Sequence, residues 1–121
     1  DMILIDDIIS SGDTILKIAS ILKDRGAGRI YLCSTFGLFT DNLKKFDEAH
    51  AAGVFDKLLT TNMVYQSEEL LAKPYYISCD MSKYIALIID TLNHDMSVSH
   101  LLNPVDRIKR CVNKYMAQYE K

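Results

Sequence analysis

The first fourteen residues, DMILIDDIISSGDT, constrain the fold most, because a short apolar run leads into two adjacent acids and then into small residues. Residues 2–5 predict a buried strand with Asp6 and Asp7 at its carboxyl end. Residues 10–14 predict a turn that opens a helix. Ligands of open α/β sheets bind beyond the carboxyl ends of the strands. The order of these segments therefore predicts a ligand site at this edge of a sheet.

The loop of residues 10–14, SSGDT, has the composition of a phosphate cradle. The first amides of a helix lack intrahelical acceptors and lie at the positive end of the helix dipole, so they attract anions. Gly12 permits a tight turn, and the loop hydroxyls add hydrogen-bond donors. We expect Asp13 to turn outward as the N-cap, which keeps its carboxylate away from a phosphate. The two acids before the loop suit a polyol or a hydrated magnesium ion.

The pattern of residues 2–14 resembles the phosphoribosyl-diphosphate signature of type I phosphoribosyltransferases, in which an aliphatic run and two acids precede Ser/Thr-Gly-x-Thr. Three later segments, STFGLFT (34–40), LLTTNMV (58–64) and MSVSHLL (96–102), are similar in order and spacing to the carboxy-terminal half of ribose-phosphate pyrophosphokinases. The resemblance covers roughly residues 1–102. It implies the type I phosphoribosyltransferase fold, a Rossmann-like α/β domain whose mainly parallel sheet is flanked by helices.

The resemblance also implies an activity, the transfer of diphosphate from ATP to ribose 5-phosphate, which gives phosphoribosyl diphosphate and AMP for nucleotide biosynthesis. This chain would bind ribose 5-phosphate, with Mg²⁺ as the cofactor and a homo-oligomer as the assembly. Magnesium would be held by the two acids indirectly, through water or substrate. The implied substrate-binding residues are Asp6, Asp7, Ser10, Ser11, Gly12, Asp13 and Thr14.

The chain begins at Asp1, and a core strand follows at once, which predicts a fragment of a longer protein. The resemblance implies that the adenine-nucleotide contacts and a basic catalytic loop lie upstream. We therefore expect no catalytic residue in this chain and no turnover by it alone. The predicted division is a phosphoribosyltransferase-like domain over residues 1–102 and a helical extension over residues 103–121.

Strand and helix signals alternate along the chain in the manner of βαβ units. Helices are predicted over residues 14–25, 41–51, 67–72 and 81–94, and further strands over residues 29–35, 57–61 and 75–79. In the extension, Asn103 predicts an N-cap and Pro104 a first helical residue. An apolar stripe follows that we expect to dock on this domain or on another subunit; it comprises Val105, Ile108, Val112, Tyr115 and Tyr119.

Composition excludes some classes of function. A net charge of −2 argues against a nucleic-acid partner, because no basic excess exists to neutralise phosphates. The apolar run of residues 84–89 is far shorter than the roughly 20 residues of a membrane span. Three cysteines without CxxC spacing favour reduced thiols and a cytoplasmic protein over disulfides or a zinc site.

Two other functions stay open on the residues alone. A nucleobase phosphoribosyltransferase would share the loop but use phosphoribosyl diphosphate as the donor. A non-catalytic regulatory homologue would keep the fold and assemble with an active relative. Ser10, Asp13 and Phe36 depart from the family pattern, which keeps the regulatory alternative open. For the three histidines, His50, His94 and His100, we expect surface or packing roles.

Overall fold

The computed structural model describes residues 1–118, apart from the side chain of His100, and Tyr119 of the predicted stripe lies outside these residues. The chain divides into two compact units, Asp1–Met81 and Ser82–Lys121. The first unit has four strands and three helices, in the order β1 (Met2–Ile9), α1 (Asp13–Asp24), β2 (Ile30–Gly37), α2 (Lys44–Ala51), β3 (Lys57–Thr61), α3 (Glu68–Leu71) and β4 (Tyr76–Cys79). This alternation confirms the predicted α/β class.

The four strands form one parallel sheet in which each strand lies beside the strand before it, in the order β1-β2-β3-β4. Asp6 of β1 pairs with Ser34 of β2, which in turn pairs with Thr60 of β3. Because all strands run in one direction, their carboxyl ends share one edge, and the loop after β1 lies there.

The core of the first unit joins one face of the sheet to its three helices. Side chains from alternate strand positions pack against one stripe of each helix, as the two periodicities require. Its fully buried members include Ala19 of α1, Leu32 of β2, Phe46 of α2 and Leu58 of β3. On the other face of β1, Ile3 and Ile5 are 64% and 82% exposed.

Several predicted boundaries were wrong. β1 continues to Ile9, so Asp6 and Asp7 lie within the strand and not after it. β2 likewise continues to Gly37, and α2 begins at Lys44, three residues later than predicted. The two strands are longer than predicted because their backbones continue to pair with each other. The helix α2 begins later because the loop before it contains left-handed residues at positions 39 and 42.

The second unit holds α4 (Ser82–Asn93), α5 (Ser99–Leu102) and α6 (Val105–Met116). The N-cap of α6 is Pro104 and not Asn103, although the Asn103 side chain accepts a hydrogen bond from the amide of Val105 at 3.1 Å. No residue of α6 is buried. Arg107 lies over the ring of Tyr84, 4.9 Å from its centroid. None of the described helices combines the length and apolar character that crossing a bilayer requires.

Candidate functional site

The loop of residues 10–14 connects β1 to α1 at the carboxyl edge of the sheet. It surrounds a cavity of about 160 Å³, which is lined by Asp6 and by residues 8–15. Gly12 is the N-cap of α1 and has φ 87°, a left-handed conformation that glycine adopts without strain. The structure therefore places the predicted small-residue loop, one predicted acid and the first amides of α1 around one space.

The two adjacent acids have different positions. Successive side chains of a strand point to opposite faces, so Asp6 and Asp7 cannot both face the cavity from within β1. Asp6 lines the cavity and Asp7 does not. The Oδ1 atom of Asp6 accepts a hydrogen bond from the amide of Asp7 at 2.9 Å, and that of Asp7 accepts one from the amide of Ile8 at 2.9 Å. Asp6 is therefore the acid that the fold brings to the loop.

Asp13 is not the N-cap of α1, contrary to the prediction, because Gly12 holds that position without a side-chain bond. The carboxylate of Asp13 is held instead by two other side chains. Ser11 donates its hydroxyl to Oδ2 at 2.8 Å, and Lys45 donates its ammonium to Oδ1 at 2.7 Å. The hydrogen bond from Lys45 is the main cause that lowers the pKa of Asp13, and the bond from Ser11 adds to it. Asp13 is therefore an ionised member of the cavity wall.

The loop is joined to the segment that follows β2. The amide of Leu38 donates to the carbonyl of Ile9 at 2.8 Å, and the amide of Thr40 donates to the carbonyl of Ser10 at 3.1 Å. The hydroxyls of Ser10 and Thr40 lie 3.3 Å apart. This segment leads into α2, so α2 is fixed in position beside the loop.

Sequence reasoning missed the two residues of α2 that contact the loop. Lys45 binds Asp13, and the ring of Phe46 lies directly beneath Gly12. Both contacts join residues more than thirty positions apart. Only the helical periodicity of α2, which places Phe46 on its buried face, gave a partial signal.

Residues of the LLTTNMV segment (58–64) and the histidine His50 make structural contacts. Thr60 is buried and its hydroxyl is hydrogen-bonded to that of Tyr76, while the side chain of Asn62 donates to Asp80 at 2.8 Å. The ring of His50 packs on Tyr75, with centroids 4.9 Å apart. His94 is exposed. The three cysteines are free thiols. These contacts suit roles in packing and loop structure for Thr60, Asn62 and His50.

The donor set of the cavity is oxygen, from the Asp6 carboxylate and the loop. Among the described side chains, no three His, Cys, Asp or Glu residues cluster closely enough to hold a metal ion. Mg²⁺ commonly keeps several waters and binds one or two carboxylates together with substrate phosphates. The site therefore suits a hydrated magnesium ion and not a cage made of protein ligands alone.

Fold and loop together define an α/β domain of the type I phosphoribosyltransferase class. The chain belongs to the family of the phosphoribosyl synthetase-associated domain, whose profile matches residues 2–103. The predicted resemblance to ribose-phosphate pyrophosphokinases is thereby confirmed.

Curated proteins similar to this chain are named ribose-phosphate pyrophosphokinase. A ribose-phosphate pyrophosphokinase of Vibrio parahaemolyticus is 29% identical over 85% of this chain and 32% of its own length. One from Campylobacter jejuni is 33% identical over 84% of this chain and 31% of its own length. The chain thus spans about a third of these relatives.

A solved structure supports the fold. The crystal structure of phosphoribosylpyrophosphate synthetase from Mycobacterium smegmatis superposes with a TM-score of 0.68 at 22% sequence identity. The match covers 78% of this chain and 31% of that chain.

Proposed function

We propose that this chain forms the ribose 5-phosphate-binding part of a ribose-phosphate pyrophosphokinase. The whole protein would transfer diphosphate from ATP to the 1-hydroxyl of ribose 5-phosphate, giving phosphoribosyl diphosphate and AMP. Membership of the phosphoribosyl synthetase-associated family and the names of the curated relatives support this reaction. On this proposal, ATP binding and the catalytic residues would belong to the part of the pyrophosphokinase that this chain does not span.

The observation that carries the proposal is the cavity of about 160 Å³ between Asp6 and the first turn of α1. At one side the amides that open α1 have no intrahelical acceptors, and the helix dipole favours an anion there. At the other side the Asp6 carboxylate can accept hydrogen bonds from hydroxyls. A phosphate on the amides and ribose hydroxyls on Asp6 would fill both sides with one ligand.

In this arrangement, the chain contributes binding and orientation. Phosphoryl-type transfer depends mostly on positioning and on charge stabilisation, so a fixed ribose 5-phosphate would align its 1-hydroxyl with the incoming diphosphate. Asp6 would hold the ribose ring, and the loop amides would hold its 5-phosphate. Magnesium, when bound, supplies charge neutralisation at the phosphates. We infer that Asp6 holds a hydrated magnesium ion through water or substrate. Asp7 would influence this magnesium ion only through the local backbone.

Binding is tested on the 121-residue chain by titrating ribose 5-phosphate with MgCl₂ and following the backbone amide resonances by NMR. We expect saturable shifts at residues 10–14 and none at a distant loop such as residues 52–54. Ribose without phosphate serves as the control. It should shift these amide resonances far less, because it lacks the phosphate that the loop amides are proposed to bind. Absence of saturable shifts with ribose 5-phosphate would contradict the proposed function.

Activity is tested on the full-length protein with ATP and ribose 5-phosphate, by following AMP. We expect magnesium-dependent AMP formation by that protein and none by the 121-residue chain alone. A full-length protein that binds ribose 5-phosphate but forms no AMP would instead be a regulatory homologue. Pyrophosphate release from phosphoribosyl diphosphate with a nucleobase, in place of AMP formation, would indicate a nucleobase transferase.

A further inference from the structure

The proposed phosphate site contains an unfavourable charge. Asp13 lines the same cavity as the loop amides, and its side chain is 70% exposed. A carboxylate about 4 Å from a phosphate oxygen repels it even in water, enough to weaken binding about fivefold. A functional phosphate loop with an aspartate at this position therefore needs a means of compensating that charge.

Lys45 provides the compensating cation. Its ammonium lies 2.7 Å from Oδ1 of Asp13 and 2.8 Å from Oδ2 of Asp41, and its side chain is only 35% exposed. Because Ser11 donates to the other oxygen of Asp13, both carboxylate oxygens are engaged away from the loop amides. Lys45 itself is not among the residues that line the cavity. The position of Lys45 therefore favours an indirect influence on ligand binding, through Asp13, over a direct contact with the ligand.

The position of Lys45 is fixed by its neighbours on α2 and in the segment before α2. Phe46, the next residue, is fully buried beneath Gly12. Asp41, in the segment before α2, accepts a hydrogen bond from the ammonium at 2.8 Å. The backbone bond from Thr40 to Ser10 ties the start of this segment to the loop. These contacts hold the ammonium beside Asp13.

We propose that Lys45 is a positioning residue of the phosphate loop, which neutralises Asp13 and holds its carboxylate away from the amides that bind the 5-phosphate of ribose 5-phosphate. This role rests on the proposed function of the chain. A glycine or a small residue at position 13 would leave the loop open to an anion without any partner. With aspartate at this position, Lys45 is needed for the same result.

The test uses four variants of the 121-residue chain and measures the Kd for ribose 5-phosphate in MgCl₂ by calorimetry or NMR. The variants are Lys45→Met, Asp13→Asn, the double variant with both changes, and Lys44→Met as the matched control. Lys44 precedes Lys45 on the same helix and is 79% exposed, with Glu48 at 3.7 Å. Lys44→Met therefore removes the same charge as Lys45→Met, but from a residue that is not bonded to Asp13.

We expect Lys45→Met to raise the Kd about fivefold to tenfold, which is the effect of one uncompensated charge near 4 Å in water. Lys44→Met should change the Kd less than about twofold, because exposed charges at longer range are screened. Asp13→Asn alone should bind at least as tightly as the unsubstituted chain. The double variant should return to the affinity of Asp13→Asn, since the cavity wall then carries no carboxylate at position 13 for Lys45 to neutralise.

Other outcomes overturn the proposal in distinguishable ways. A double variant as weak as Lys45→Met would show that Lys45 contacts the phosphate directly or only stabilises the fold, and thermal melting separates those two cases. A tenfold loss in Asp13→Asn would show that the carboxylate is itself a ligand. If the unsubstituted chain binds ribose 5-phosphate and Lys45→Met binds equally well, this inference fails while the proposed function stands. If the unsubstituted chain does not bind, the proposed function fails and this inference fails with it.

Discussion

Gly12 lies directly on the ring of Phe46, so that a Cβ atom added at Gly12 would come within 2.6 Å of Cε2 of that ring. Gly12 also has φ 87°, so two independent constraints demand glycine at this position. The added atom would point toward the core and not into the cavity. The curvature of the loop is thus set by packing beneath it as well as by backbone freedom.

Replacing Gly12 with alanine should destabilise the fold much more than the same change at Gly26. Gly26 has φ 86°, but its added Cβ would meet no atom within 4 Å. The left-handed conformation alone costs an alanine about 1–2 kcal/mol. The overlap with Phe46 adds about 1–3 kcal/mol at Gly12 only. Urea unfolding of both variants measures the difference.

Relief of the overlap provides the control. Phe46→Leu removes the part of the ring that meets the added atom, so Gly12→Ala should cost less in a Phe46→Leu background. An equal cost at Gly12 and Gly26, or no coupling to Phe46, would show that the contact is not a constraint.

Acid should destabilise the first unit partly through Asp47. Its pKa lies below the ordinary value, mainly because Lys73 donates a hydrogen bond at 2.7 Å; burial opposes this shift and Tyr75 adds a weaker lowering bond. A carboxyl whose pKa is lower in the folded state stabilises the fold above its unfolded pKa of about 3.9. That contribution is lost as the pH falls from there through the lower folded value.

Asp47→Asn should therefore lower the Tm by about 2–5 °C at pH 6. The difference from the unsubstituted chain should shrink as the pH falls below about 4, where the carboxyl becomes protonated first in the unfolded and then in the folded state. Glu48→Gln is the control, because Glu48 and its partner Lys44 are both largely exposed. A difference between Asp47→Asn and the unsubstituted chain that persists unchanged to pH 2 would contradict the assigned pKa shift.

The apolar stripe of α6 is predicted to dock on its own domain or on another subunit, and the second alternative can be tested through association. Its described members are all exposed, between 46% for Val105 and 58% for Tyr115. Ile108→Asp with Tyr115→Asp places two charges on it and should weaken association of the full-length protein in sedimentation velocity. The control variant carries Lys109→Gln and Asn113→Asp, which change the net charge by the same amount at positions outside the stripe. This variant should associate like the unsubstituted protein. Unchanged sedimentation of the first variant would show that the stripe mediates no such contact.

Local patterns predicted most of the fold. β3 matches its predicted range of residues 57–61, and α1 differs by one residue at each end. Both have unambiguous periodicity and clear ends, such as Gly26 after α1. β1 was predicted four residues too short, because its second half, which begins with two acids, is held by backbone pairing with β2, and the side chains do not reveal that pairing.

The candidate site was predicted in its residues but not in its arrangement. The loop and Asp6 could be found because strand, acid and small-residue loop follow one another in sequence. The separation of Asp6 from Asp7 could not, since it depends on the strand continuing past both. The contacts of Lys45 and Phe46 with the loop depend on the folding of α2 beside it, and no local signal encodes such a pairing.

Asp6 lines the cavity that we propose binds the ribose of ribose 5-phosphate. Asp6→Asn keeps the volume of the side chain but removes its charge, so the strand should persist, as circular dichroism can verify. The loss of one charge-assisted hydrogen bond is worth about 1.5–3 kcal/mol, which corresponds to an affinity about tenfold or more weaker. Asp7→Asn is the matched neighbour and should have a smaller effect, because Asp7 does not line the cavity.

The most direct measurement is the Kd of the 121-residue chain for ribose 5-phosphate in MgCl₂, compared among the unsubstituted chain, Asp6→Asn and Asp7→Asn. We predict a Kd raised about tenfold or more for Asp6→Asn, with turnover of the full-length protein reduced by a similar factor. A folded Asp6→Asn variant that binds ribose 5-phosphate as tightly as the unsubstituted chain would contradict the account.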